Sequence, residues 1–315
     1  MVILPREDYT IFCLTININI MTKEKNLPLL LRFAPSPTGY LHIGHAASAF
    51  FTWDQAGRSA EHFLLRIEDI DQTRCRPVFE TAIYEDLNWL GLSWEKPPRR
   101  QSEHFADYQS VLDQLEEMGL IYPCFCTRRE IQEEIARSPS APHGPEGRIY
   151  PELCKKLGQA ERTERIARGD AYALRLDLAA ARRRCPARLT WFDRACGEQI
   201  ATPEVLGDVI LARKDTPASY HLCVTHDDAG QGITLVTRGK DLFHATHLHR
   251  LLQEILGYPV PEYHHHPLLL DQNGVRFAKR NNSVTLRSLR ERGFSPAQLR
   301  SIIEDQRISR LYNSV

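Results

Sequence analysis

The chain has 315 residues, of which 42% are hydrophobic, so it can bury a sizeable core and an intrinsically disordered protein is excluded. Forty basic and forty acidic side chains cancel, so the net charge does not point to a polyanion partner, and a nucleic-acid surface would be a local patch. Eight cysteines without a convincing export signal favour thiol or metal roles in the cytoplasm over disulfides.

Residues 1–28 are expected to be an N-terminal extension. Residues 11–20 are moderately apolar but too short to span a bilayer, so no membrane segment is predicted. Met21 is followed by polar residues and then by the first strand-like run. This pattern favours Met21 as the true start, with residues 1–20 absent from the native protein.

Apolar runs and amphipathic segments alternate from there on. Residues 29–34 predict a strand that ends in a proline- and glycine-rich turn, and residues 44–55 predict a helix. Residues 62–67 predict a second strand, and residues 78–90 and 103–118 predict amphipathic helices. This alternation predicts an α/β fold with a parallel, doubly wound sheet.

The alternation stops at residues 123–207, which contain clustered cysteines, a Pro/Gly-rich loop at 138–147 and a basic run at 182–184. We expect an insertion there. The strand pattern resumes at residues 208–212 and 233–237, with a helix at 246–256 and small helices after it.

The first turn, residues 35–45, reads PSPTGYLHIGH and places His42 and His45 at the start of a helix. A helix N-terminus attracts phosphate, and imidazoles there can donate hydrogen bonds to phosphate oxygens in a transition state. Gly44 would let a nucleotide approach the backbone closely. By itself, such a histidine pair also fits an incidental or a metal-binding arrangement.

A second group of residues suggests a metal site. Cys124, Cys126 and Cys154 offer three thiolates, which suit a tetrahedral, structural zinc ion. Tyr150 is one candidate for the fourth ligand and His143 is the other; buried cysteines without a ligand are the alternative. The remaining cysteines are expected to be packing residues: Cys13, Cys75, Cys185, Cys196 and Cys223.

The segment RFAPSPTGYLHIGH resembles the signature of glutamyl- and glutaminyl-tRNA synthetases. The similarity continues through LLRIEDID at 64–71, TRGKDLFHAT at 237–246 and YHHHPLLLDQNGVRFAKR at 263–280. It implies the class I synthetase fold, a Rossmann-like doubly wound parallel sheet with a zinc-bearing insertion and a small helical C-terminal part. The implied divisions are the extension at 1–28, the first half of the catalytic domain at 29–122, the insertion at 123–207, the second half at 208–258, and a stem-contact-like tail with a KMSKS-like loop at 259–315.

The resemblance also implies site residues. The expected glutamate contacts are Arg32, Ser36, Glu68, Tyr220 and Arg238, because two carboxylates and an ammonium need cations and an anion. The expected catalytic residues are His42, His45 and Lys279, and these three with Gly44 would bind ATP with Mg²⁺. The RFAKR loop departs from the family pattern at Arg276 and Ala278, which leaves its efficiency open.

The implied reaction joins glutamate to ATP as glutamyl-adenylate and passes the glutamyl group to a tRNA. A subgroup of short paralogues resembles this chain in its Cys-x-Cys and Tyr-x-x-x-Cys pattern and in ending soon after the KMSKS-like loop. That resemblance implies transfer to queuosine in the anticodon loop of tRNA(Asp), by a monomer. Candidate phosphate contacts are Arg182, Arg183, Arg184, Arg188, Arg287, Arg290 and Arg292.

Two other functions are compatible with these residues. The first is a truncated glutamyl-tRNA synthetase that charges the 3′ end of a tRNA. The second is a tRNA-binding paralogue that has lost catalysis, which the replacement of a serine by Ala278 would favour.

Overall fold

The computed structural model describes residues 28–137, 143–144, 147–269 and 284–305. Residues 1–27 and the RFAKR loop with Arg276, Ala278 and Lys279 lie outside the described residues, so the predictions for them stay predictions. Within the described ranges, no helix is both long enough and apolar enough to cross a lipid bilayer.

Three parallel strands form one half of the central sheet. They are β1 (Leu31–Phe33), β2 (Phe63–Ile67) and β3 (Arg99–Arg100), in the order β1-β2-β3. All residues of β1 and β2 are buried, as expected for parallel strands that are covered on both faces.

The other half of the central sheet has four strands. It consists of β8 (Thr190–Asp193), β9 (Gly197–Ile200), β11 (Leu235–Gly239) and β12 (Glu262–His266), in the order β11-β12-β8-β9. The β11-β12 and β12-β8 pairs are parallel, whereas β8 and β9 form an antiparallel hairpin. The backbone oxygen of Leu30 accepts hydrogen bonds from the amides of Thr234 and Leu235, which places β1 beside β11.

Helices follow the strands on both sides of the sheet. The helices are α1 (Ile43–Gln55), α2 (Pro77–Trp89), α3 (Phe105–Glu117), α4 (Arg128–Arg137), α5 (Gln159–Ala167), α6 (Leu178–Arg183), α7 (Tyr220–Gly230), α8 (Ala245–Leu256), α9 (Leu286–Glu291) and α10 (Pro296–Glu304). The four helices predicted from apolar spacing correspond to α1, α2, α3 and α8, with ends that differ by one or two residues.

Side chains of β2 alternate between two hydrophobic clusters. Phe63, Leu65 and Ile67 pack with residues of α1, α2, α9 and α10, whereas Leu64 packs with residues of α3, α7 and α8. Because successive side chains of a strand point to opposite faces, the sheet has a helical layer on each side. The α/β fold with a parallel sheet is therefore confirmed.

Strands within the predicted insertion divide among three sheets. β4 (Ile121–Cys124), β7 (Ala173–Leu176) and β10 (Ile210–Ala212) form an antiparallel sheet of their own, next to a short hairpin of β5 (His143–Gly144) and β6 (Gly147–Arg148). The expectation that residues 208–212 return to the central sheet is wrong, because β10 pairs with β7. Conversely, β8 and β9 belong to the central sheet although they lie at positions 190–200.

Asp227 joins the sheet to two helices through a buried carboxylate. It lies in α7 and accepts hydrogen bonds from Tyr108 in α3 at 2.9 Å, from Arg99 in β3 at 2.8 Å, and from Gln101 at 2.8 Å. A buried carboxylate is tolerated when its oxygens are satisfied in this way.

Asp86 is a buried carboxylate of the opposite kind. Among the described residues, neither of its oxygens has a hydrogen-bond partner, and Arg290 is 3.9 Å away. Burial, partly offset by Arg290, raises the pKa of Asp86 to about 6. Asp86 therefore favours folding when it is protonated, and this contribution is lost as the pH rises through about 6.

We predict that Asp86→Asn raises the free energy of unfolding at pH 8 by about 2 kcal/mol more than it does at pH 4. The reason is that asparagine stays neutral at the buried position at pH 8, whereas Asp86 is ionised. Chemical denaturation at the two pH values measures this difference. The matched control is Glu117→Gln at an exposed position of α3, for which a pH-dependent change below about 0.5 kcal/mol is expected. Equal effects of Asp86→Asn at both pH values would contradict the assignment.

Candidate active site and metal centre

His42 and His45 cap the first helix with their own side chains. His42 Nδ1 accepts a hydrogen bond from the amide of Gly44 at 3.1 Å, and His45 Nδ1 accepts one from the amide of His42 at 3.1 Å. Each ring therefore accepts at Nδ1, which leaves the proton of the neutral imidazole on Nε2. Two N–H donors at a helix N-terminus suit a phosphate group, as the sequence predicts.

The structure gives a second reason for a glycine at position 44, besides the predicted close approach of a nucleotide to the backbone. A Cβ atom at Gly44 would lie 2.9 Å from Cε1 of His42, so any other residue would displace that imidazole.

The histidine turn also contacts the segment that follows the RFAKR loop. His42 forms a backbone bridge with Thr285, and the amide of Leu286 donates to the backbone oxygen of Leu41 at 2.8 Å.

Asp228 in α7 holds two arginines from neighbouring strands. Arg32 in β1 donates to it from Nε at 2.8 Å and from Nη2 at 3.3 Å, and Arg66 in β2 donates from Nη2 at 2.8 Å. Arg32 also donates to the carbonyl of Thr237 in β11 at 3.1 Å. These three contacts use three of the five N–H groups of Arg32, so the guanidinium is held rigidly before any ligand arrives.

Glu68 follows β2 directly and faces the same arginines. Its Oε1 lies 3.7 Å from Nε of Arg66. Burial raises the pKa of Glu68 to about 7, although the charges of Arg66 and Arg32 oppose that shift. The hydroxyl of Ser36 donates to the backbone oxygen of Glu68 at 2.6 Å, so Ser36 holds the loop that carries the carboxylate.

Arg238 lies in β11 and is surrounded by hydrogen-bond acceptors. Its Nε donates to Nε2 of His265 at 3.1 Å, its Nη1 to the Tyr220 hydroxyl at 3.4 Å and to Nδ1 of His249 at 3.1 Å, and its Nη2 to the hydroxyl of Thr246. Tyr220 is the first residue of α7, and its pKa, which burial raises, is also influenced by the charges of Arg238, Glu68 and Arg32. The structure therefore brings these predicted residues together at the carboxyl ends of β1, β2 and β11.

Several residues of this site were missed in the sequence analysis. Asp193 accepts from Nδ1 of His265 at 2.6 Å, which fixes the ring that receives Arg238. Asp228 and Arg66 supply the buried ion pairs, and His249 is a further acceptor. Two signals in the sequence were available. One is the pair of acids at 227–228 within a helix, and the other is the arginine in the middle of the apolar β2 run.

The cysteine cluster forms where β4 ends. The sulfur atoms of Cys124, Cys126 and Cys154 all lie within 4.8 Å of one another. The hydroxyl oxygen of Tyr150 is 3.4 Å from Sγ of Cys124 and 3.5 Å from Sγ of Cys126. The side chain of His143 lies outside the described residues, so the alternative fourth ligand is not tested.

This donor set fits a thiophilic metal ion. Three sulfurs within 4.8 Å of one another, with a hydroxyl oxygen beside two of them, are close enough to share one ion at zinc–ligand distances of roughly 2.0–2.3 Å after small adjustments. The pKa of Cys124 is lowered by hydrogen bonds from Cys154 and Tyr150 and by Arg175, whose guanidinium lies 3.7 Å from the centre of the Tyr150 ring. The hydrogen bond with Cys124, together with burial, raises the pKa of Cys154. The cluster therefore favours one thiolate, at Cys124, and a bound metal ion would displace the remaining thiol protons.

Five of the seven arginines proposed as phosphate contacts form hydrogen bonds or ion pairs with the neighbouring groups named below. Arg182 donates to the carbonyls of Pro186 and Ala187, and Arg184 donates to the carbonyl of Met118. Further partners are Glu198 for Arg188, Glu291 for Arg287, and Glu85 for Arg290. Their role in tRNA binding stays a prediction.

We expect Co²⁺ to bind at this cluster with thiolate charge-transfer absorption, because soft sulfur ligands suit such ions. Cys126→Ser should weaken binding by more than about 100-fold, beyond the 10–100-fold typical of losing an outer contact. Absorption titration of the metal-stripped protein measures this. Cys196→Ser, at an exposed cysteine outside the cluster, is the control, and equal affinities for both variants would contradict the site.

Comparison with known proteins adds to this geometry. The family model for the catalytic domain of class I tRNA synthetases (E and Q) matches residues 28–311. The glutamyl-Q tRNA(Asp) synthetase of Rhodobacter capsulatus is 45% identical over 281 residues, which cover 87% of this chain and 99% of that protein. The glutamate–tRNA ligase of Coprothermobacter proteolyticus is 37% identical, and the match covers 89% of this chain but 58% of that ligase.

A solved structure agrees with this relationship. The crystal structure of a glutamate tRNA ligase from Elizabethkingia meningosepticum in complex with its amino acid aligns with a TM-score of 0.68 and 26% sequence identity, over 85% of this chain and 59% of that one. The chain therefore belongs to the class I tRNA synthetases of the E and Q type, and it is a ligase.

Proposed function

We propose that this chain activates glutamate with ATP and transfers the glutamyl group to queuosine in the anticodon loop of tRNA(Asp). The main support for glutamate activation is the charge balance of the pocket. The guanidinium groups of Arg32 and Arg66 contact the carboxylates of Asp228 and Glu68, and a third guanidinium, that of Arg238, lies beside Tyr220 among neutral acceptors. The surplus of one positive charge complements glutamate, which carries two carboxylates and one ammonium.

The residues of this pocket have distinct roles in binding glutamate. Arg238, with the Tyr220 hydroxyl beside it, binds one carboxylate of glutamate, and the remaining N–H groups of Arg32 bind to the other end of the ligand. Glu68 accepts the ammonium, and Ser36 keeps its loop in place. Since most donors of the arginines already have protein partners, the site is organised before binding.

ATP occupies the turn at the start of α1. His42 and His45 donate from Nε2 to phosphate oxygens, and Gly44 preserves the imidazole geometry. Lys279 follows the charge that develops on the leaving pyrophosphate, and Mg²⁺ accompanies the nucleotide. The glutamate α-carboxylate attacks the α-phosphorus, an oxygen–phosphorus bond forms, and the bond to pyrophosphate breaks.

The name of a similar protein supports the proposed acceptor. The Rhodobacter capsulatus protein, which this chain matches over nearly its whole length, is named a glutamyl-Q tRNA(Asp) synthetase. In the second step, a hydroxyl of the modified nucleoside attacks the glutamyl carbonyl, an ester bond forms, AMP leaves, and the hydroxyl proton passes to solvent.

Zinc is the metal that we assign to the cysteine cluster, with Cys124, Cys126, Cys154 and Tyr150 as ligands. A site with four protein ligands has no open position for a substrate, so its role is structural. It fastens the segment after β4 to the segment before α5, next to the wall that Tyr150 and Arg175 form.

Pyrophosphate exchange and tRNA transfer test this function in separate steps. We expect glutamate-dependent exchange of labelled pyrophosphate into ATP without any tRNA, and labelled glutamate transferred to tRNA(Asp) that carries queuosine. Queuosine-free tRNA(Asp) and tRNA(Glu) are the controls. Transfer to tRNA(Glu) would support a 3′-end-charging ligase instead, and absence of exchange would support a paralogue without catalysis.

The raised pKa of Glu68 predicts a pH dependence of glutamate use. An ammonium group binds to the ionised carboxylate, so kcat/KM for glutamate should fall about tenfold between pH 8 and pH 6, as Glu68 becomes protonated near pH 7. Exchange rates at limiting glutamate measure this.

Glu68→Gln should lower kcat/KM at pH 8 and remove this pH dependence, because the amide does not titrate. Glu116→Gln, on the exposed face of α3, is the matched control and should keep the profile of the unmodified protein. A Glu68→Gln variant with an unchanged profile would contradict the role of Glu68.

A further inference from the structure

Two histidines connect Arg238 to a neighbouring cavity. His249 in α8 accepts from Nη1 of Arg238 at its Nδ1, at 3.1 Å, and its Nε2 lies 3.1 Å from Nδ1 of His221 in α7. Burial and the charge of Arg238 lower the pKa of His221 to about 4 and place the pKa of His249 well below its usual range. Both rings are therefore neutral near pH 7.

The tautomers of both rings follow from the arginine. A guanidinium can only donate, so Nδ1 of His249 accepts and its proton is on Nε2. That proton is donated to Nδ1 of His221, which in turn leaves the proton of His221 on Nε2. The reverse arrangement would put two protons between Arg238 and His249.

His221 also lines a cavity of about 580 Å³. Tyr220 is beside it, and Tyr150, Arg148, Arg175 and Arg213 lie around the same space. The cavity is thus bordered by Tyr220 of the proposed glutamate pocket and by Tyr150, which contacts the cysteine cluster. Because Nδ1 of His221 is occupied by His249, the polar group that His221 can offer to a cavity ligand is its Nε2–H.

We propose that His249 and His221 are positioning residues, His249 by fixing the Arg238 guanidinium and His221 by donating its Nε2–H to an oxygen of the nucleoside that receives the glutamyl group. This inference rests on the proposed function and adds a contact for the acceptor. The same proton on Nε2 means that His221 orients the acceptor and does not act as its base. Hydrogen bonds in a chain that begins at a cation polarise one another, which strengthens this donor.

Paired substitutions separate the two roles. Glutamine keeps one acceptor and one donor, whereas leucine keeps neither, so His249→Gln and His221→Gln are conservative and the leucine variants are disruptive. His249→Leu should raise KM for glutamate in pyrophosphate exchange by about tenfold, the effect of one lost hydrogen bond to a charged group. His221→Leu should lower single-turnover transfer to tRNA by about fivefold more than it lowers exchange.

The glutamine variants should recover most of each loss. His226→Leu is the matched control, because His226 lies on the same helix but pairs with the Tyr258 hydroxyl at 2.7 Å, and it should alter transfer and exchange equally. Equal losses of transfer and exchange in His221→Leu would overturn the role of His221. An unchanged KM in His249→Leu would overturn that of His249.

A measurement without substrates distinguishes this inference from the proposed function. Nitrogen-15 NMR of histidine-labelled protein should find both rings neutral with the proton on Nε2 at pH 7, with resonances assigned from the two glutamine variants. A proton on Nδ1 of either ring would overturn the inference, whereas correct tautomers in a protein without exchange activity would contradict only the proposed function.

Discussion

The buried carboxylate of Asp228 is the contact on which the arrangement of the site depends. Arg66 is fully buried and Arg32 nearly so, and neither guanidinium could stay in the sheet without a nearby anion. Asp228 supplies it from α7, and thereby fixes that helix against β1 and β2. Tyr220 at the start of α7 is placed beside Arg238 by the same contact, so one ion-pair cluster sets both the packing and the pocket.

Arg238 is stabilised in a different way, by neutral acceptors. His265 is oriented by the buried Asp193, and His249 is oriented by His221. Imidazoles accept from the guanidinium without cancelling its charge, whereas a carboxylate in contact would have neutralised it. Arg238 therefore keeps a full positive charge for a ligand carboxylate, while Arg32 and Arg66 share the charge of Asp228.

The antiparallel sheet of β4, β7 and β10 connects the cysteine cluster to this pocket. Cys124 is the last residue of β4, and Arg175 in β7 stacks on Tyr150. The same Tyr150 and Arg175 border the cavity that His221 reaches. A metal ion at the cysteines would hold Tyr150 in place at the border of that cavity, which gives a physical reason for a structural site near the proposed chemistry.

The sequence by itself determined the central helices and strands, the histidine turn, the cysteine cluster and the family, because apolar periodicity and contiguous motifs are local properties. It also named Arg32, Glu68, Tyr220 and Arg238 as one group, although only through resemblance. The tertiary structure decided what local patterns cannot encode: that β10 pairs outside the central sheet while β8 and β9 join it, and that Ser36 holds the Glu68 loop. It also decided that Asp228, Asp193 and His249 hold the arginines. These partners come from distant segments, and their pairing follows from the packing of helices against the sheet.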